Sequence, residues 1–348
     1  MSPTVRPFAL DLSTPLSTAD GEITERRGFL VGVDDPARGL GEATPLPGWT
    51  ESFDACEAAL RNPPAAWDRV DDALGDGRPA TPAARHGYRL AVLDAAARDE
   101  ERPLSAHLAD RGGFEAPADT VPVNATVGDG SVEDTVAAAQ RAAEAGFDTA
   151  KLKVGARSLS TDIDRVRAVL DAVDLAVRVD ANGAWDRETA SEAVEAFASF
   201  GVEYVEQPLP AGALSGLAAL RGRGVGIAAD ESLGEHGVGA LLDADAADVA
   251  VLKPMALGGP DAAIDAARRL LDTGVDPVVT TTIDGAVARA AAVHVAAAVP
   301  DVRACGLSTG DMLVTDLGPD PSPTVDGAVR VPEGPGNVGS SFDGCLRD

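Results

Sequence analysis

The chain has 348 residues, with 29 basic against 56 acidic side chains and a formal charge of −27. Its hydrophobic fraction of 45% excludes a disordered chain, and its charge argues against nucleic acid or an anionic membrane surface as a partner. Only three of the basic residues are lysines, and an acidic, lysine-poor chain is typical of a halophilic protein kept soluble in concentrated salt.

Residues 1–118 combine strand-like and helix-like patterns. Strands are predicted at 6–12 and 28–33, on either side of a polar segment, 14–26, which is predicted to be a loop. A turn-rich stretch, GEATPLPGWT, then leads into two segments of helical periodicity, at 52–61 and 81–98. These patterns predict an α+β capping domain, completed by the turn-rich residues 321–348.

Residues 119–320 alternate short apolar runs with longer alanine-rich amphipathic stretches. The predicted strands are 121–127, 150–154, 176–179, 202–205, 226–229, 249–252, 278–283 and 304–307. The helical patterns between them include 132–145, 159–172, 187–200 and 260–271. Such alternation indicates parallel βαβ units, and eight strands predict an α/β fold, a (β/α)₈ TIM-like barrel.

Five charged residues stand at the ends of consecutive predicted strands. They are Lys153, Asp180, Glu206, Asp230 and Lys253, separated by 23 to 27 residues, which is the length of one βα unit. Because the C-terminal ends of parallel strands share one rim of a barrel, where such folds place their active sites, the five side chains are expected to converge. A single carboxylate there would be interpreted as a solvated rim residue, but three carboxylates at the same position of consecutive βα units indicate a site.

The residue types at this rim predict a particular chemistry. Three converging carboxylates need a cation, and Mg²⁺ suits carboxylate oxygens. Lys151 and Lys153 both face the barrel interior, where mutual repulsion and partial burial would favour a neutral Lys153 that accepts a proton. With Lys253 as a second cation, the set predicts proton abstraction next to a carboxylate. A structural ion-pair network is the alternative for both Lys151 and Lys153.

The segments KLK, DAN, EQP, ADES and LKP resemble the barrel of the enolase superfamily, in its muconate-lactonizing branch with a KxK motif. Residues 1–118 resemble its capping domain. Within that branch, GEATPLPGWTES and LKPMALGG resemble the o-succinylbenzoate synthase family of menaquinone biosynthesis. This resemblance implies a lyase that dehydrates 2-succinyl-6-hydroxy-2,4-cyclohexadiene-1-carboxylate to 2-succinylbenzoate.

The resemblance also implies roles for individual residues. Its acid/base matches Lys153, the supporting lysine of KxK matches Lys151, and the lysine facing the intermediate matches Lys253. Its Mg²⁺ ligands, which also accept Mn²⁺, match Asp180, Glu206 and Asp230.

Substrate-binding residues are predicted less directly. Arg178 lies on the strand face of Asp180 and either steers the substrate's carboxylates or forms an ion pair inside the barrel. Thr280 and Thr282 resemble a serine-rich segment of the family. The chain departs from the family at Ser308 and Thr309 (GLST), where an aspartate is frequent, and it lacks a DxD motif there. This absence argues against a dipeptide epimerase.

Several other functions share these residues. An N-acylamino acid racemase would use Lys153 and Lys253 as opposed bases, and a muconate cycloisomerase would use the same set. A Schiff-base aldolase is disfavoured because adjacent carboxylates keep a lysine charged, and a non-catalytic barrel would have lost part of the set.

The remaining sequence features concern the cell compartment and the binding partners of the protein. Three cysteines without CxxC spacing and the lack of a signal-peptide pattern fit a cytoplasmic protein. The expected partner is a small-molecule carboxylate substrate, without nucleic acid or membrane, and the oligomeric state is left open.

Overall fold

The structure, a computed structural model, describes residues 3–18, 21–68, 79–342 and 344–345. Its N-terminal part has a three-stranded antiparallel sheet in the order β1-β2-β3, followed by helices. These elements are β1 (Thr4–Thr18), β2 (Gly21–Val33), β3 (Gly39–Ala43), α1 (Phe53–Arg61), a 3₁₀ turn (Ala65–Asp68), α2 (Pro82–Asp99) and α3 (Leu104–Gly112). In the described ranges, no helix is both long and apolar enough to cross a membrane.

The segment 14–26 is the end of a long β-hairpin, so its prediction as a loop was wrong. β1 and β2 stay paired beyond a register irregularity, with Leu16 opposite Ile23. Both side chains pack against an apolar cluster that includes Leu313, from the far end of the chain. The hairpin therefore continues through a polar stretch because distant residues cover its apolar positions. The tip, residues 19–20, lies outside the described residues.

Helix α2 lies directly on β3. A Cβ atom at Gly41 would stand 1.9 Å from the carbonyl oxygen of Gly87 on α2, so the contact requires glycine in the strand. The close approach fixes the sheet on the helix and, with it, the segment that follows β3.

The barrel sheet is parallel and runs in the order β11-β10-β9-β8-β7-β6-β5. Its strands are β5 (Ala125–Val127), β6 (Thr149–Lys153), β7 (Ala176–Asp180), β8 (Tyr204–Glu206), β9 (Gly226–Ala229), β10 (Val249–Leu252) and β11 (Asp276–Val279). The helices between and after them are α4 (Val132–Glu144), α5 (Leu159–Ala172), α6 (Arg187–Phe200), α7 (Leu214–Leu220), α8 (Glu231–Asp243), α9 (Pro254–Leu257), α10 (Pro260–Leu271) and α11 (Ala286–Ala298).

The eighth predicted strand closes this sheet through two single parallel bridges. Cys305 bridges to Val123 beside β5, and Gly306 bridges to Thr280 beside β11. The TIM-like barrel prediction is therefore confirmed, with an eighth strand reduced to these bridges. The first predicted strand is divided, because its beginning, β4 (Thr120–Pro122), pairs with the C-terminal hairpin of β12 (Thr324–Val325) and β13 (Ala328–Arg330).

The C-terminal segment is held at Asn337, between the N-terminal helices and the barrel. Its backbone N–H donates to Asp94 on α2 at 2.6 Å, and its side-chain amide donates to the carbonyl of Val287 at 2.8 Å. Its carbonyl lies 2.7 Å from His294 Nε2, while His294 Nδ1 accepts from the Ser105 N–H at 3.1 Å. These partners place the proton of a neutral His294 on Nε2.

This arrangement predicts that acid destabilises the fold through His294. Burial lowers the pKa of His294 to about 4, below its value in the unfolded chain, so the stabilisation is present above about pH 6.5 and is lost as the pH falls towards 4. The resulting decrease in the free energy of unfolding should reach about 2 kcal/mol at about pH 5, as measured by urea unfolding. His294→Gln keeps a donor and an acceptor without titrating and should have a shallower pH dependence. Equal slopes for both proteins would contradict this.

Candidate active site

Three buried carboxylates lie at the C-terminal ends of neighbouring barrel strands. Asp180 ends β7, Glu206 ends β8 and Asp230 directly follows β9. Asp180 and Glu206 are opposite each other in the parallel register, and all three residues are at most 4% exposed. Burial, reinforced by the charges of Asp180 and Asp230, raises the pKa of Glu206 to about 7. The three carboxylates therefore stand at the ends of neighbouring strands on one rim of the barrel.

Lys151 and Lys153 reach two of these carboxylates from β6. Lys151 Nζ lies 2.9 Å from Glu206 Oε1 and 3.3 Å from Asp180 Oδ2, and Lys153 Nζ lies 2.6 Å from Asp180 Oδ2. Leu152, between them, packs into the core outside the barrel. Burial alone would lower the pKa of Lys151, but Glu206 and Asp180 outweigh it and hold the pKa well above its usual value. The carboxylates thus keep Lys151 in its ammonium form.

Lys253 meets the third carboxylate and an aromatic ring. Its Nζ lies 2.6 and 2.5 Å from the two carboxylate oxygens of Asp230. It also lies 3.3 Å from the centroid of the Trp49 ring, a cation–π contact. Trp49 comes from the N-terminal part of the chain and passes close to Gly234 on α8, where a Cβ would stand 3.0 Å from the ring. The N-terminal part therefore covers the barrel mouth at Lys253.

Two amides that were not selected from the sequence fix the strand ends. Asn182 and Gln207 adopt φ values of 45° and 40°, a region that non-glycine residues adopt rarely. Asn182 Oδ1 accepts from Lys153 Nζ at 2.8 Å, and Gln207 Oε1 accepts the backbone N–H groups of Asp230 and Ser232. Their positions in the DAN and EQP segments, two residues after Asp180 and one residue after Glu206, were the available signal.

Thr280 and Thr282 lie near the end of β11, and both hydroxyls have partners. Thr280 Oγ1 donates to the carbonyl of Gly306 at 2.9 Å, beside the bridge that closes the barrel. Thr282 donates through its hydroxyl and its backbone N–H to Asp284.

Ser308 and Thr309, where the chain differs from the family pattern, also form hydrogen bonds. Thr309 Oγ1 lies 2.9 Å from Thr281 Oγ1, and Ser308 Oγ accepts from Thr324 Oγ1 at 2.9 Å. The segment after β11 is therefore ordered by the chain's own hydrogen bonds.

The structure does not bring Arg178 together with the lysine–carboxylate cluster. Its Nε donates to Glu203 Oε2 at 2.6 Å and its Nη1 donates to the carbonyl of Ala304 at 2.5 Å. Its guanidinium lies over the ring of Tyr204, 4.8 Å from the centroid. Glu203 precedes β8, so the side chain reaches towards the opposite end of the strands from Asp180. These contacts replace the predicted substrate-binding role with the alternative, an ion pair inside the barrel.

The donor atoms at the barrel mouth suit a hard divalent cation, although lysines pair with them in this structure. In the part of the chain that the structure describes, no three Asp, Glu, His or Cys side chains are grouped closely enough to hold an ion as they stand. Lys151 lies between Asp180 and Glu206, and Lys253 pairs with both oxygens of Asp230. The donors are buried carboxylates on neighbouring strands, the oxygen ligands that Mg²⁺ prefers.

Comparisons with known proteins identify the family of the chain. The family model described as "Enolase C-terminal domain-like" matches residues 134–342. The o-succinylbenzoate synthase of Thermobifida fusca (strain YX) is 43% identical over 228 residues, which cover 63% of this chain and 69% of that protein. The o-succinylbenzoate synthase of Mycolicibacterium smegmatis is 38% identical over 281 residues, which cover 79% of each chain.

A solved structure extends the similarity to the whole fold. The dipeptide epimerase from Methylococcus capsulatus, complexed with Mg and the dipeptide L-Arg-D-Lys, superposes with a TM-score of 0.82 at 29% identity, covering 97% of this chain and 98% of that one. The chain therefore belongs to the enolase superfamily, as an enzyme similar to the o-succinylbenzoate synthases.

Proposed function

We propose that this enzyme dehydrates 2-succinyl-6-hydroxy-2,4-cyclohexadiene-1-carboxylate to 2-succinylbenzoate. The observation that carries the proposal is the meeting of Lys151, Lys153 and Lys253 with three buried carboxylates at one end of the barrel. Proton abstraction next to a carboxylate needs a base and nearby positive charge, and this cluster supplies both. The relatives named o-succinylbenzoate synthase support the choice of substrate.

We assign Asp180, Glu206 and Asp230 as ligands of a Mg²⁺ ion. Support comes from their oxygen donors and from a fold shared with an epimerase complexed with Mg. When bound, the ion supplies positive charge beside the substrate carboxylate, where negative charge develops. Mn²⁺, which also takes carboxylate ligands, is expected to substitute.

Lys153 is assigned as the acid/base. It is the most exposed of the three lysines, with 35% of its side chain accessible against 15% for Lys151 and 11% for Lys253, so it can reach a bound substrate. Its neutral amine takes the proton from the carbon next to the carboxylate. The adjacent C–O bond then breaks, and the leaving hydroxide takes a proton from the Lys153 ammonium to form water. The ring becomes aromatic, which drives the elimination.

Lys253 is assigned to stabilise the intermediate by its charge. Asp230 and the Trp49 ring fix its Nζ in position, so little reorganisation is needed as charge develops. The contact of Trp49 with Lys253 also supports our assignment of residues 1–118, with 321–348, as a domain that caps the barrel (residues 119–320). Parts of those ranges, including residues 69–78 and 346–348, lie outside the described residues.

The direct test is an assay of the purified chain on the cyclohexadiene substrate with Mg²⁺, at low and at molar KCl. We expect 2-succinylbenzoate to form, and activity to disappear on chelation and to return with added Mg²⁺ or Mn²⁺. N-acylamino acids, muconate and dipeptides serve as competing substrates in parallel. Racemisation of N-acylamino acids without dehydration would overturn the proposal in favour of the racemase, and turnover of muconate alone would favour the cycloisomerase.

A further inference from the structure

Ile283, in the segment after β11, has an unusual backbone conformation. Its φ is 59°, in the left-handed region, where a β-branched residue is a true outlier. Such conformations persist only where the surroundings impose them. Thr281 Oγ1 accepts the Ile283 N–H at 3.2 Å, and the Ile283 side chain packs against the apolar cluster of the β1–β2 hairpin.

The third restraint on Ile283 comes from Arg26 on β2. Arg26 Nε donates to the carbonyl of Ile283 at 3.1 Å, and its two terminal nitrogens donate to the carbonyls of Thr44 at 2.9 Å and Pro45 at 3.1 Å. Arg26 is 2% exposed, so these hydrogen bonds form away from water. One guanidinium thus joins two separate segments at the barrel mouth.

Each of the joined segments leads to the active site. Thr44 and Pro45 begin the stretch that carries Trp49, whose ring lies on Lys253. The segment around Ile283 carries Thr282 and follows β11.

A neighbouring carboxylate ties the same two parts together. Glu42 on β3 accepts the N–H groups of Gly285 at 2.7 Å and Ala288 at 2.8 Å, at the start of α11. It also accepts the Thr44 hydroxyl at 2.6 Å. Glu42 therefore fixes the start of α11, whereas Arg26 fixes the strained residue before it.

We propose that Arg26 is a positioning residue for substrate recognition. It holds two segments in one relative position: residues 280–285 around Ile283, and residues 44–50, which carry Trp49. The inference rests on the proposed function for its substrate. Arg26 reaches the substrate pocket only through the backbone carbonyls it binds, so its loss should weaken substrate binding more than it slows the chemical step. The lysines and carboxylates stand on other strands and should be unaffected.

The test compares Arg26→Met with Arg27→Met. Arg27 is the adjacent residue and stacks on Phe53 instead, 4.2 Å from its ring centroid. We expect Arg26→Met to raise KM by about 10-fold to 100-fold, as a displacement of about 1 Å can do, with a smaller change in kcat and an unchanged Mg²⁺ affinity. Arg27→Met should leave KM unchanged. Arg26→Lys keeps the charge and some donors, so its KM should lie between those of Arg26→Met and Arg27→Met. It replaces Arg26→Met in the test if the methionine variant does not fold.

A second substitution separates positioning from general stability. Glycine adopts positive φ without strain. Ile283→Gly in the Arg26→Met background should therefore lower KM part of the way back to the wild-type value, and it should lower Tm further through lost apolar contacts. A purely structural Arg26 predicts that KM is unchanged in Arg26→Met and that only Tm falls, which would overturn the inference.

Hydrogen exchange gives a readout that does not depend on the substrate. In Arg26→Met, but not in Arg27→Met, amide exchange should rise together in residues 44–50 and 280–285. A rise confined to one of these segments overturns the inference whatever the substrate is. A wild-type chain that fails to dehydrate the cyclohexadiene overturns the proposed function instead, and the exchange measurement still decides the role of Arg26.

Discussion

Replacing Lys153 by alanine should lower kcat by about 10²-fold to 10⁴-fold, the usual contribution of a positioned acid/base. The substitution removes the amine that we assign to take and return the proton, whereas Lys151 and Lys253 keep their own carboxylate partners. The side chain is partly exposed, so the fold should tolerate the change. Turnover of the cyclohexadiene substrate, with Mg²⁺ binding and Tm as measures of an intact protein, checks this expectation.

Lys153→Arg is the matched control for charge. Arginine can still donate to Asp180, but it stays protonated and cannot accept the substrate proton. If Lys153 transfers the proton, both variants should be inactive. Substantial activity in Lys153→Arg would mean that position 153 acts only through its charge, and undiminished activity in Lys153→Ala would place the base elsewhere.

The barrel was predictable because each of its units repeats the same local pattern. Helices α5, α6 and α10 begin and end at the predicted residues. α5 and α6 also start with side-chain caps, at Ser158 and Asp186, which are local signals. Regular spacing then placed the strand-end charges on one rim without any knowledge of tertiary contacts.

Arg178 shows a limit of prediction from the alternation of side chains along a strand. Alternation correctly places its side chain inside the barrel, on the face of Asp180. It does not say towards which end of the barrel a long side chain extends, and Glu203 and the Ala304 carbonyl draw the guanidinium away from the rim. The partner at 304 lies 126 residues away, so no local pattern reveals it.

The contribution of the N-terminal residues depended on tertiary contacts as well. Trp49 was part of a recognisable turn-rich segment, but its contact with Lys253 joins residues about 200 positions apart. The continuation of the β1–β2 hairpin likewise depends on Leu313. Hydrophobic and charge patterns within a window identify elements, whereas these contacts depend on how two parts of the chain are docked.

The fold alone does not choose among the reactions of the superfamily. A dipeptide epimerase shares almost the whole fold, and a fold supports many chemistries through its loops. The lysines and carboxylates serve several reactions next to a carboxylate, so substrate choice depends on the residues around them. In this chain, Ser308 and Thr309 bond to Thr324 and Thr281, at positions where the family resemblance predicts an acid in a dipeptide epimerase.

Glu206→Gln should weaken Mg²⁺ binding by about 100-fold, equivalent to about 2.7 kcal/mol, and should reduce turnover accordingly at limiting metal. Glutamine keeps the shape of the side chain but removes the negative charge at the centre of the carboxylate set. Asp180 and Asp230 remain, so binding should be weakened rather than abolished. Titration of the full chain with Mg²⁺ by calorimetry measures the change.

Glu203→Gln is the control from the same stretch of chain. Glu203 lies three residues earlier and pairs with Arg178 at 2.6 Å rather than with Lys151, so Mg²⁺ affinity should be unchanged in this variant. Excess Mg²⁺ should restore part of the activity of Glu206→Gln, because the lysines assigned to the chemistry are still present. Equal Mg²⁺ affinities for Glu206→Gln, Glu203→Gln and the wild-type chain would show that the ion binds away from the β8 carboxylate.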